Sequence, residues 1–68
     1  MNYLKFIKYS NKLYNIYNKK EIILGSLEFL KVGRYNSWVL SLKNDCYLSA
    51  SCIDEVRAKI RELNREER

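Results

Sequence analysis

The side chains that could do chemistry here are few, and their types point to charge and stacking more than to bond-breaking. Histidine is absent, which removes the usual general base near neutral pH and the commonest metal ligand. Cys46 and Cys52 are separated by five residues, with no second pair to complete a zinc site. Cys52 is expected as a buried structural thiol, and a bond between the two cysteines would need an oxidising setting. Gly25 and Gly33 are isolated and belong to no phosphate-cradling run. Asp45, Asp54 and Glu55 form no recognisable pair for acid–base work. Catalysis is therefore not expected, nor is any metal or cofactor.

What remains is basic and aromatic. Thirteen basic and eight acidic residues give a formal net charge of +5, beside six Tyr, two Phe and one Trp. The excess lies entirely within residues 1–50, because residues 51–68 hold five charges of each sign. Lys5, Lys8, Lys12, Lys19 and Lys20 precede the first acid, Glu21. Basic surface interleaved with aromatics is the electrostatic footprint of a nucleic-acid binder. On that reading Lys31, Arg34 and Lys43 reach phosphates or base edges. Tyr35 and Tyr47 offer rings for stacking, and Lys19 and Lys20 add phosphate contacts. Arg57, Arg61, Arg65 and Arg68 fall within an arc of about 80° on a helix, a secondary basic stripe suited to a phosphate backbone or an acidic protein surface.

These residues need elements to position them. Sixty-eight residues make one domain, read as spanning 1–68. The chain is read as α+β: a three- or four-stranded antiparallel β-meander with one C-terminal α-helix packed on one face. Cys52, Ile53, Val56, Ile60 and Leu63 recur at helical spacing. Ser51 is the expected N-cap, Asp54 and Glu55 the expected acids of the first turn, and Lys59 the expected i,i+4 partner of Glu55. The helix is drawn over about 52–65. Tyr14–Tyr17 and Ile22–Leu24 flank a polar loop as a hairpin does. Leu27–Val32 extends the second arm past Gly25, a candidate bulge or close backbone approach. Gly33–Ser37 is read as a turn, Trp38–Leu42 as a half-buried strand with Trp38 in the core, and Cys46–Leu48 as a last short strand. Residues 1–12 suit an edge strand better than a helix.

A sheet packed on one helix is similar in outline to the arm-binding domains of tyrosine integrases and to the plant ethylene-response DNA-binding domain, whose strands enter the major groove. The likeness covers roughly residues 13–64 and is one of topology alone, with no diagnostic motif and no residue to carry over. It implies a small basic module that binds DNA through its sheet face and hairpin loops. The alternative is a non-enzymatic protein-interaction module, a regulator or inhibitor of viral or mobile-element type, whose unpaired edge strand docks onto a partner or a second copy. Convergence of Lys31, Arg34 and Lys43 on one open face would favour the first, and scatter a partner protein or nothing in particular. No stretch reaches the ~20 apolar residues of a membrane span. The N-terminal residues lack a signal-peptide pattern, so a cytoplasmic protein is expected.

Overall fold

The structure, a computed structural model, describes residues 3–66. Four strands, β1 (Lys5–Ser10), β2 (Leu13–Tyr17), β3 (Ile23–Val32) and β4 (Tyr35–Leu42), precede a single helix, α1 (Ala50–Glu66). The strands form one antiparallel sheet in the order β1-β2-β3-β4. This is the expected α+β meander, with all four strands present.

Period-two alternation decides which face meets the helix. Phe6 lies opposite Ile16, Tyr14 opposite Leu27, Leu27 opposite Leu40, and Phe29 opposite Trp38. Residues directly opposite in an antiparallel pair share a face, so these positions form one apolar layer. The helix supplies the second layer through Val56 and Leu63, with Cys52 and Ile60 packed beside them. Ile16 and Leu27, on the two central strands, are fully buried. Trp38 sits in this layer as expected, its ring edge-on to Tyr14 at 5.6 Å and tilted against Phe29 at 5.2 Å.

Short connections fix the registers. Gly33 and Arg34 alone join β3 to β4, and Gly33 has φ +62, the positive angle that a type II′ hairpin requires at its first loop residue. Tyr35, Asn36 and Ser37 are thus strand residues, correcting the longer turn drawn from sequence: the two-residue loop lets pairing start at once, with Tyr35 opposite Val32. Between β2 and β3, Asn18 holds the loop by accepting the Lys20 and Ile22 N–H groups at its side-chain Oδ1, at 2.8 and 3.0 Å.

Gly25 adjoins a bulge and makes the close approach anticipated. Partners step from Ile16↔Gly25 to Tyr17↔Ile23, leaving Leu24 unopposed on β2 and packed in the core. A Cβ at Gly25 would lie 2.2 Å from the Ser41 carbonyl oxygen.

Four local expectations fail at or near the helix start. Residues 46–48 form no strand; the chain turns at Asn44 and Asp45, the latter at φ 65, and leaves the sheet. The N-cap is Ser49, not Ser51: its Oγ accepts the Cys52 N–H at 3.3 Å, so the helix begins two residues early. Asp54 and Glu55 then fall beyond the first turn, which holds no acid. Glu55 has a different task from pairing with Lys59. Its carboxylate accepts the Tyr3 N–H at 2.9 Å and the Leu4 N–H at 3.1 Å, tying the chain entering β1 to the helix. Lys59 pairs instead with Glu62 at 3.5 Å and lies over the Tyr14 ring. Glu55→Ala is expected to cost about 1.5–3 kcal/mol, the worth of a hydrogen bond to a charged acceptor. Urea unfolding checks this, and an unchanged midpoint would mean that water replaces the carboxylate at no cost.

Candidate functional site

The sheet has one face away from the helix and two edges, and the named cations are distributed unevenly among them. Lys31 lies opposite Asn36, in step with Phe29 and Trp38, and therefore on the helix side. Arg34 is in the two-residue loop before β4. Lys43 follows β4 at its other end, its N–H donated to the Leu24 carbonyl at 2.9 Å, on the open face. These three do not share a face; they bracket one strand. Tyr35, exposed, begins that strand on the open face. Tyr47 is 87% exposed in the loop to the helix and leaves the sheet face where the sequence reading put it.

Lys19 and Lys20 sit in the β2–β3 loop with no contact to β4; Lys19 lies over the Tyr3 ring at 5.6 Å. The flank of α1 carrying Glu55, Ala58 and Glu62 shares a concavity of about 300 Å³ with Phe6 of β1 and Leu4 just before it. With Cys52, Val56 and Leu63 turned to the sheet, 100° per residue puts Arg61 and Arg65 on the solvent side of α1 and Arg57 at its border. Arg57 meets Asp54 at 3.7 Å. Arg68 lies outside the described residues.

The open face carries Lys5, Glu28 and Lys43 among polar and apolar side chains. Its pairs include Ile7↔Asn15, Asn15↔Ser26, Ser26↔Ser41 and Glu28↔Val39. Lys5 on this face is held by Glu21 at 3.7 Å. Exposed Ile7, Leu30, Val32 and Tyr35 make it partly apolar.

The two edges differ more than the faces do. β1 carries Lys5 and Lys8 and a bulge at Tyr9, where the register slips between Lys8 and Ser10. Lysines and bulges are the devices that keep an edge from pairing with another chain. β4 has neither. Its sequence, Tyr-Asn-Ser-Trp-Val-Leu-Ser-Leu, contains no charge and no proline, and all of its residues pair with β3 without interruption.

The Lys43 bond to Leu24 tells which groups of β4 point outward. Antiparallel pairs alternate between hydrogen-bonded and non-bonded. With Lys43 in a bonded pair, so are Ser41, Val39, Ser37 and Tyr35, and a two-residue hairpin loop is closed by such a pair. Asn36, Trp38, Leu40 and Leu42 consequently turn their N–H and C=O groups away from the sheet. That unpaired row, bracketed by Lys31, Arg34 and Lys43, is the most distinctive chemical feature of the described residues.

No metal-ligating cluster exists among the described residues, and no helix described is long and apolar enough to cross a membrane. The chain matches no protein-family model, and neither the curated proteins nor the solved structures give a significant match. The site stands on its own geometry.

Lys31, Arg34 and Lys43, grouped in the sequence reading, lie around β4 and not on one open face. The missing signal was present as an absence, since residues 35–42 are a long strand with no charge, while the other edge strand has two lysines.

Proposed function

We propose that the domain is a non-enzymatic protein-interaction module that receives an extended segment of a partner polypeptide along β4. The observation carrying this reading is the unguarded edge, with outward N–H and C=O groups at Asn36, Trp38, Leu40 and Leu42. Such a row is complementary to another peptide backbone, which supplies donors and acceptors alternately. A phosphodiester backbone supplies only acceptors. Two unbonded thiols suit a reducing, cytoplasmic setting for this activity.

The experiment is a selection of random octapeptides on the wild-type domain, with counter-selection on Asn36→Pro. Asn36 is exposed and its N–H points outward, so proline removes one docking donor and leaves the β3 pairing intact. Enriched peptides are expected to bind the wild type and to lose about tenfold or more on the variant, from one lost backbone hydrogen bond and the ring's obstruction. Equal binding to an Asn36→Pro domain with an unchanged melting curve would place docking elsewhere and end this reading.

DNA or RNA binding is the second reading, and a specific observation favours it. Lys12, Lys31 and Arg34 all lie at the sheet end formed by the β1–β2 and β3–β4 loops, with no acidic partner among the described residues. Affinity for duplex DNA that falls steeply with salt would support it, and a slope near zero would reject it.

A further inference from the structure

Resting on that docking reading, we infer that the occupant of β4 is the β4 of a second copy, so that two chains join edge to edge in an antiparallel two-fold pairing centred on Val39. The outward N–H and C=O groups belong to Asn36, Trp38, Leu40 and Leu42, a row symmetric about residue 39. Bonded pairs in an antiparallel ladder form between outward residues of both strands. One two-fold register uses the whole row: Asn36 faces the second copy's Leu42, and Trp38 its Leu40. It makes about eight interchain hydrogen bonds, within the roughly 10 ± 5 carried by a specific interface. Sliding the copies by two residues sets Leu42 against Arg34 or Asn36 against Asn44, both outside the strand. The match of the row to its own reverse is what selects a second copy over an unrelated strand.

The side chains agree with this register. On the open side Val39 meets itself, Ser37 the second copy's Ser41, and Tyr35 its Lys43, so no like charges stand directly opposed and an ammonium lies beside a ring. On the helix side Leu42, left 37% exposed, comes to lie diagonal to the second copy's Trp38. Charge decides which edge can do this. Two copies of a chain with net charge +5 repel wherever their cations meet, and β4 is the sheet edge without any, whereas β1 carries Lys5, Lys8 and a bulge. Lys43 and the other chain's Arg34 approach at each end, where both are exposed and screened by salt. Both helices fall on one side of the joined sheet. Glu55 ties α1 to the Tyr3 and Leu4 amides, and Lys59 lies over Tyr14, which sets the helix back toward β1 and leaves the seam clear. Arg57, at the border of α1, is engaged by Asp54. The result is a closed pair, not a fibre, because the edges left over are the two guarded β1 strands.

The test follows the full chain, reduced, over a concentration series by sedimentation equilibrium and by backbone amide shifts of the isotope-labelled protein. A monomer–dimer equilibrium is expected, with the Asn36, Trp38, Leu40 and Leu42 amides shifting together as the dimer forms. Asn36→Pro removes one donor from each copy and is expected to weaken dimerisation about tenfold or more. Val39→Lys sets two ammonium groups against each other on the two-fold axis and is expected to weaken it about fivefold, with melting curves confirming that both variants fold. Cysteines read the register. With Cys46→Ser and Cys52→Ala in place, Val39→Cys is expected to oxidise to a linked dimer, because Cα atoms of a non-bonded pair lie about 4.5 Å apart. Ser41→Cys is expected to stay unlinked. A strict monomer at high concentration, whose β4 amides still shift when a selected octapeptide is added, would overturn the second copy and leave edge docking standing. A monomer whose β4 amides answer to no peptide, or only to a DNA duplex, would end both readings. A dimer untouched by Asn36→Pro, or one that Ser41→Cys links as readily as Val39→Cys, would overturn the pairing inferred here.

Discussion

Trp38→Ala is expected to remove most of the stability of the domain and to leave it largely unfolded at 25 °C. Trp38 is 5% exposed and belongs to the edge strand, yet it closes the core through contacts with Tyr14 on β2 and Phe29 on β3. Truncating a buried tryptophan costs about 3–5 kcal/mol. A domain of this length has roughly 3–10 kcal/mol in total, so few other single losses could be as large. Trp38→Phe is expected to be milder, about 1–2 kcal/mol, because a ring is retained and the indole N–H, which is buried without a hydrogen-bond partner, is removed together with its desolvation penalty. Circular dichroism against urea separates the two variants. An alanine variant with a near-wild-type midpoint would mean that the core closes without the indole.

Gly25→Val is the second large loss expected, and its cause is steric. Any Cβ at this position meets the Ser41 carbonyl oxygen at 2.2 Å and the Leu42 Cα at 2.9 Å. Both are backbone atoms of β4 and cannot swing aside as a flexible side chain would. Relief requires β4 to move off β3, at a cost of about 3 kcal/mol or more, beyond ordinary overpacking. Gly33→Ala is the informative comparison. Nothing lies within 4 Å of a Cβ at Gly33, and only its φ of +62 resists substitution, which costs about 1–2 kcal/mol. The valine variant should therefore fall well below the alanine variant in thermal melts. The reverse order would put the demand on backbone conformation and leave the close approach without consequence.

How far the sequence revealed this molecule can be judged from particular residues. Alternation at Trp38, Leu40 and Leu42, and helical spacing at Cys52, Val56, Ile60 and Leu63, gave the fold and its core, because burial imposes those periods directly. Local competition was harder to read. Ser49 and Ser51 both offer a capping hydroxyl, and only the path of the 43–49 segment selects Ser49. Glu55 looked like a helix-surface acid, since its partners, the Tyr3 and Leu4 amides, are distant in sequence. Lys31, Arg34 and Lys43 were legible as a set, and Arg61 as part of a separate helical stripe. The placement of the first three around β4 was not, because it depends on which strand ends the sheet, a topological fact that composition does not carry.

Amide hydrogen exchange along β4 in the isolated domain tests the open edge most directly. Ser37, Val39 and Ser41 should be protected by their bonds to β3, whereas Asn36, Trp38, Leu40 and Leu42 should exchange roughly tenfold or more faster. Uniform protection of all these amides in the dilute monomer would mean that the edge is already covered, and would leave the docking account without its site.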